Sequence, residues 1–254
     1  MKNSFQLTLV GAERSGKTYF ARKLADKYIE KKGAVIVYNY GKASDFPDNE
    51  YYSIEPLTFN EHIQMFYRDK EEKANYKLNM LCQYFRCRGK IYHFKDFSRY
   101  FHKKKVKMFR ISNRAEETAF FKAVYLYISK TLVIFDDCKV TFNYGLKDGH
   151  VQLFSRKNHT GNLSSIQKFR GSGVDVITIW HNVDHVNRDL WDFTSALVLF
   201  KFQMIPNFKN MDNEHLIKVI RHLHQKLLRS PQYTAFEIKL NGVNALKFKN
   251  VTIK

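Results

Sequence analysis

The eight residues GAERSGKT, Gly11–Thr18, stand between the alternating apolar run Phe5–Val10 and a segment in which Phe20, Leu24 and Tyr28 recur every four residues. The run before reads as a strand and the repeat after reads as the core face of a helix ending near Gly33. Strand, glycine loop and helix in this order are the context that the phosphate-loop pattern GxxxxGK[ST] requires, and here the pattern is complete. Its glycines let backbone N–H groups curl around phosphates, and the helix N-terminus adds a favourable dipole. Gly11, Ala12, Glu13, Arg14, Ser15, Gly16, Lys17, Thr18 and the adjoining Tyr19 are the expected nucleotide-binding residues. Lys17 is expected on the β- and γ-phosphates and Thr18 on Mg2+.

Working outward, Ala34–Tyr38 (AVIVY) reads as a second buried strand, with an exit loop over Lys42–Asn49 around Pro47. Val106–Ile111 reads as a strand. Asn113 with Glu116 suggests a capping box for a helix carrying Ala119, Phe120, Ala123, Val124, Tyr127 and Ile128 on one stripe. Thr131–Phe135 (TLVIF), Val174–Trp180 (VDVITIW) and Ala196–Phe202 are the near-continuous apolar runs of strands buried on both faces. A helix is expected over Leu163–Phe169, and another, capped by Asp212, through Leu216, Ile220, Leu223 and Leu227. The tail, alternating at Phe236, Ile238, Leu240 and again at Leu246 and Phe248 about Asn241-Gly242, reads as a hairpin whose register needs a bulge or a longer loop. The whole is an α/β fold with a mainly parallel sheet flanked by helices. One domain over 1–254 is expected, with a basic and aromatic insertion or peripheral layer at about 57–105, within which Leu57–Arg88 is rich in charge and helical in tone.

The second chemical signal is Asp136-Asp137, delivered at the end of the TLVIF strand, the edge where ligands of open α/β sheets sit. Asp136 is the expected Mg2+ ligand, direct or through water. Asp137 stands where a glutamate commonly polarises the attacking water, one methylene shorter. His181 ends the next strand. It reads equally as a sensor beside the γ-phosphate and as an ordinary loop histidine. Arg170, before Gly171-Ser172-Gly173, is placed with Lys17, Asp136, Asp137 and His181 in the catalytic set, as an arginine that a neighbouring subunit's site would use. Arg156 and Arg188 flank it, and each of the three taken singly also reads as a solvated basic residue.

Lys and Arg number 43 against 24 Asp and Glu, a formal charge of +19 in 254 residues, which a compact domain tolerates best beside a polyanion. DNA is the leading partner. Arg86–Arg110 holds ten basic residues against the single acid Asp96, interleaved with Tyr92, Phe94, Phe97, Tyr100, Phe101 and Phe109. Basic side chains neutralise phosphates and aromatic faces stack on unpaired bases, although the same stretch also reads as a solvated face with its rings in the core. No apolar run is long enough to span a bilayer. The N-terminus passes straight into the phosphate loop without room for a cleavable signal, so a cytoplasmic location is expected. Cys82, Cys87 and Cys138 fit neither a disulfide framework nor a standard zinc spacing, even with His93 and His102 nearby.

The ordered set Gly11–Thr18, Leu132–Asp137 and Arg170–Phe202 (RGSGVDVITIWHNVDHVNRDLWDFTSALVLFKF) resembles the FtsK–HerA superfamily of DNA-translocating ATPases, above all the compact genome-packaging ATPases of viruses and phages. The resemblance covers most of the chain except Leu57–Phe101. It implies a RecA-like fold, ATP and Mg2+ as cofactors, a pentameric or hexameric ring, and ATP-driven movement of DNA into a capsid. It also implies a capsid or portal-vertex partner, and a place in the host cytoplasm or on the virion. His181 departs from the glutamine common at the sensor, and Asp137 from the usual glutamate. The filamentous-phage assembly ATPases of the zonula occludens toxin group are related but typically carry a membrane span. A small-molecule or nucleotide kinase would not need the basic surplus, a regulatory DNA-associated ATPase remains an alternative, and no Asn-Lys-x-Asp motif supports a GTPase.

Overall fold

In the first turn past Val10 the chain must leave a strand packed between two others, and the register of those strands decides what meets there. A computed structural model describes residues 4–31, 33–39, 45–71, 82–109, 111, 113–142, 146, 148–241 and 244–252. Its strands are β1 Gln6–Val10, β2 Ala34–Asn39, β3 Tyr52–Ser53, β4 Glu55–Pro56, β5 Tyr84–Cys87 and β6 Lys90–His93. They continue with β7 Lys105–Phe109, β8 Thr131–Phe135, β9 Val174–Trp180, β10 Ala196–Phe200, β11 Thr234–Asn241 and β12 Asn244–Thr252. The chain divides into two compact units, one of Met1–Ser4, Tyr28–Val133 and Lys147–Asp175, the other of Phe5–Lys27, Ile134–Leu146 and Val176–Lys254.

In the second unit β9 and β10 flank β1, both parallel to it, with Val10 opposite Trp180 on one side and Leu199 on the other. All five residues of β1 and all seven of β9 are buried, which is why β9 reads as a near-continuous apolar run, whereas β1 is buried on both faces despite its alternating sequence. Among their polar residues, Thr8 Oγ1 meets Thr194 Oγ1 at 3.0 Å and Thr178 Oγ1 at 3.2 Å. The C-terminal hairpin β11–β12 pairs antiparallel beside β10, with the expected irregularity at Lys239/Leu240. Gly242 of its turn lies outside the described residues. The helix Glu214–Arg229 buries Leu216, Ile220, Leu223 and Leu227, the four-residue stripe read from sequence, each contributing roughly 1.5–3 kcal/mol.

In the first unit β2, β7 and β3 are parallel, Val35 facing Lys105 and Tyr52 facing Val106. A separate antiparallel sheet runs β4-β5-β6. Its core is aromatic: Phe85 lies 4.8 Å from Phe94 and 5.6 Å from Phe101 by ring centroids, and Phe94 lies 5.6 Å from Phe120. Tyr38, between Phe120 and Phe121, donates its hydroxyl to the buried Glu117 carboxylate at 2.6 Å.

Several local expectations are corrected. Leu57–Arg88 is not helical throughout. Among its described residues Phe59–Phe66 is a helix, opened by a capping box of Thr58 and Glu61, and Lys70 and Glu71 are helical, while Tyr84–Cys87 is a strand whose burial alternates with period two. Residues 72–81 lie outside the described set, as do Lys42–Ser44 of the expected exit loop and Arg110. Asn113 does cap its helix, accepting from Ala115 and Glu116, but Glu116 turns its own carboxylate to the Phe59 N–H at 2.9 Å instead of closing a box. Leu163–Phe169 forms only a 3-10 turn over Gln167–Phe169. There the Ser164 hydroxyl accepts from Ile166 N and the Ser165 N–H goes to Lys95 O, so local and distant acceptors outcompete helix hydrogen bonds. Asn213, not Asp212, caps the helix at Glu214, because Asp212 pairs with Arg188. β10 ends at Phe200, two residues early.

Candidate functional site

Because Val10 and Trp180 are paired, the chain enters the phosphate loop from β1 and reaches His181 from β9 at one edge of the sheet. β8, next to β9 in strand order, delivers Asp136 and Asp137 at its C-terminal end. Gly11 is required at the loop entrance: a Cβ there would stand 2.5 Å from Phe200 Cβ and 3.0 Å from Ser15 Oγ. Gly16 holds φ at +96°, which L side chains rarely adopt, and its carbonyl accepts the Phe20 N–H as the helix Lys17–Lys31 begins.

Lys17 is 4% exposed, and its ammonium donates to Gly11 O at 2.7 Å and Ala12 O at 2.5 Å, with Ser15 Oγ at 3.5 Å. Burial lowers its pKa to about 8, against an opposite pull from Asp136, Glu13 and Asp137. Those carboxylates therefore lie within electrostatic reach of the ammonium. Asp136 is 7% exposed. Asp137 is half-buried, holds a left-handed conformation at φ 50° and ψ 58°, and brings Oδ1 to 3.7 Å from His181 Nε2. Desolvation, then the Lys17 charge, keeps the His181 pKa below its ordinary value, more than Asp137 and Glu13 raise it. The imidazole is thus neutral at neutral pH, and the contact with Asp137 is dipolar and not an ion pair.

Lys17, Asp136, Asp137 and His181 are brought together in one unit. Thr18 is half-buried in the first helical turn, and Glu13, Arg14 and Tyr19 are exposed, Tyr19 carrying Lys23 Nζ 5.4 Å from its ring centroid. Arg170 belongs to the other unit, exposed, with Nε donating to Ser164 O at 3.0 Å. Arg188 is held by Asp212. A cavity of about 210 Å3 lined in part by Arg188, Asp189, Trp191 and Asp212 contains none of the four converging residues. Volume does not mark this site; convergent chemistry does.

The thiols take no part. Cys138 donates to Phe135 O at 3.2 Å, and burial pushes Cys82 up to about 12, so both are neutral at physiological pH.

The basic stretch is reassigned in part. Phe94, Phe97 and Phe101 are buried and cannot stack on bases; Tyr100 and Phe109 are exposed. Arg86 pairs with Glu55 and Glu61, Lys105 with Glu50, and the buried Lys107 with Asp48 and Phe46 O. Lys90, Lys95, Arg99, Lys103 and Lys104 are exposed. The choice between the two readings of these rings depends on tertiary packing, which no local pattern carries. Among the described residues no helix is long and apolar enough to cross a membrane.

No family model matches the chain, and no curated protein matches it. Among solved structures it is similar to the genome packaging NTPase B204 of Sulfolobus turreted icosahedral virus 2, in complex with sulfate, at TM-score 0.56 and 12% identity over 98% of this chain and 96% of that one. The complex of that NTPase with ATP-gammaS gives 0.55 and 13% over 98% and 97%. B204, the DNA-packaging ATPase from Sulfolobus turreted icosahedral virus, gives 0.55 and 14% over the full length of both. At these identities the likeness is one of fold, and the expected α/β architecture with a mainly parallel sheet holds.

Proposed function

We propose that this chain is an ATP hydrolase that moves DNA, most specifically a viral genome-packaging ATPase. The observation that carries the reading is the convergence of Lys17, Asp136, Asp137 and His181 at the edge where β1, β8 and β9 end. The fold likeness to viral packaging NTPases studied with sulfate and ATP-gammaS supports it.

In this reading the loop from Gly11 to Thr18 wraps the β- and γ-phosphates. Lys17 exchanges its carbonyl partners for phosphate oxygens and offsets charge that builds in phosphoryl transfer. Asp137 orients a water and takes its proton as the water oxygen bonds to the γ-phosphorus and the bond to the ADP oxygen breaks. Neutral His181 beside Asp137 hydrogen-bonds the γ-phosphate and reports its presence. Thr18 and Asp136 offer hydroxyl and carboxylate oxygen, the hard donor set Mg2+ takes, and would hold it, where it supplies further neutralisation of the triphosphate. Arg170 is assigned to a neighbouring copy's site in a pentameric or hexameric ring, and a capsid or portal-vertex protein is the assembly's partner.

The test is ATP turnover in one low-salt buffer with no DNA, single-stranded DNA and duplex DNA. Stimulation by DNA is expected. Turnover indifferent to both, or transfer of phosphate to a small acceptor, overturns the motor reading. Sizing with ATP-gammaS and DNA present tests the ring.

The surplus of positive charge leads to a second expected result. Charge reversal at Lys103 and Lys104, which are exposed, should weaken DNA binding and reduce the slope of log affinity against log salt by about 1 per lost phosphate contact. Lys105 is a poorer choice, since Glu50 already lies 3.5 Å from it. Unchanged affinity at every salt concentration would move the DNA path elsewhere.

A pH dependence follows from Lys17. Below pH about 8 its ammonium is charged in the free protein, and affinity for ATP-gammaS should be flat as far as this group is concerned. A bound triphosphate raises that pKa, so binding takes up a proton above pH 8 and affinity should weaken by about tenfold per pH unit there. Isothermal titration in buffers of different ionisation heat measures the proton uptake directly, and none at pH 9 would contradict the assignment.

A further inference from the structure

Beyond Phe200, β10 gives way to a loop on which Met204 and Ile205 stand 76% and 70% exposed. Each end of the loop is fastened to a different part of the triphosphate site. At its start, Lys201 O accepts the Ala12 N–H of the phosphate loop at 3.0 Å. The next residue, Phe202, stacks on the His224 imidazole with centroids 4.4 Å apart, and its carbonyl meets His224 Nε2 at 2.9 Å. At its far end the anchor is Asp184, three residues past His181. One carboxylate oxygen accepts the Phe208 N–H at 2.6 Å, the other accepts the Asn207 N–H at 2.8 Å, and the Asp184 carbonyl accepts Asn210 Nδ2 at 2.8 Å.

These bonds are directional and costly to replace. Only an ionised carboxylate offers two acceptor oxygens at this length, and hydrogen bonds to a charged acceptor are roughly twice as strong as neutral ones. Phe208 is held at φ +57°, a conformation a bulky residue keeps only where its surroundings impose it. Asp184 sits on the short turn Val183–His185, whose Asp184 N–H is capped by Asn182 Oδ1 at 3.3 Å, directly after His181. His185 on the same turn lies within electrostatic reach of both Asp184 and His181.

We propose that Asp184 is a positioning residue that couples the phosphate site to the exposed Met204–Ile205 tip. A γ-phosphate that engages His181 shifts the Asn182–His185 turn, and the carboxylate carries the shift to the Asn207 and Phe208 amides. The phosphate loop fixes the other end through Ala12, so the tip between the two anchors takes a position that depends on which nucleotide is held. The inference rests on the ATP reading above. Coupling of this kind is reciprocal: if a triphosphate favours one arrangement of the loop, releasing the loop must weaken the triphosphate by the same factor.

The experiment measures amide hydrogen exchange over residues 201–210, and binding of Mg2+ with ATP-gammaS or ADP, in the wild-type chain, Asp184→Ala and Asp184→Asn. The wild type should protect Asn207 and Phe208 more with ATP-gammaS than with ADP. Asp184→Ala should erase that difference and weaken ATP-gammaS by about five- to tenfold, with ADP changed by less than about twofold. Asp184→Asn, which keeps one acceptor oxygen, should fall between. Equal weakening of both nucleotides would mean that Asp184 merely braces the fold, and would overturn the proposal. Should Asp184→Ala fail to fold, wild-type exchange decides alone, since identical protection with the two nucleotides overturns the coupling. A wild type that binds both nucleotides without differential protection sinks this inference and leaves the ATP reading standing; one that binds neither sinks both.

Discussion

Replacing Lys17 by alanine should lower ATP turnover by at least about 10²–10³-fold, the loss that follows removal of one preorganised donor to developing charge. The ammonium is almost wholly buried, and its partners are two backbone carbonyls and a hydroxyl of the same loop. Its pKa, lowered to about 8, measures what burial costs the charged form: the protein holds a cation where a neutral side chain would be easier to bury. Chemistry and stability should therefore separate. Lys17→Ala removes the desolvated charge and opens the Gly11 and Ala12 carbonyls to water, so its melting temperature should not fall below that of the wild type while turnover collapses. Lys17→Arg should also fail, since a planar guanidinium does not fit a site shaped around an ammonium. Steady-state hydrolysis, ATP-gammaS binding and thermal melting on the same preparations check all three statements. Normal turnover in Lys17→Ala would remove the central reading.

What could be read from the sequence follows a physical division. Thr131–Phe135 and Val174–Trp180 have the boundaries their apolar runs indicate, because a strand buried on both faces declares itself without reference to its neighbours. Gly11–Thr18 was legible for a similar reason, its constraints being local: a close approach at Gly11, a positive φ at Gly16, a helix starting at Lys17. The rest depended on partners distant in sequence. Phe94, Phe97 and Phe101 lie among basic residues and look available to a polyanion, yet they are buried, each packing on Phe85 of β5. Arg86 and Lys107 add to the basic count but are matched by Glu61 and Asp48. Asp184 had no local signature, since its acceptors meet backbone N–H groups 23 and 24 residues away. The pairing of Asp137 with His181 was anticipated only as two strand ends; their approach needed the sheet order.

The shorter acid at Asp137, a departure when seen in sequence, has a structural reason that yields the second large effect. Its backbone is left-handed at φ 50°. Asp and Asn are several-fold enriched there, whereas longer side chains bear a cost of roughly 1–2 kcal/mol. Asp137→Asn keeps the shape and the backbone preference and removes only the proton acceptor. It should bind ATP-gammaS as the wild type does and slow single-turnover hydrolysis by about 10²–10⁴-fold, the range of general base catalysis. Asp137→Glu restores the acceptor but places a longer chain on a strained backbone, so it should melt at a lower temperature and recover only part of the rate. The pair of variants separates proton transfer from backbone geometry: one loses chemistry with stability intact, the other loses stability with chemistry partly intact. A wild-type single-turnover rate in Asp137→Asn would show that another group activates the water. Neutral His181, the nearest side chain brought to Asp137, would then be the residue to examine, and His181→Gln would tell whether its imidazole accepts the proton or only reports the phosphate.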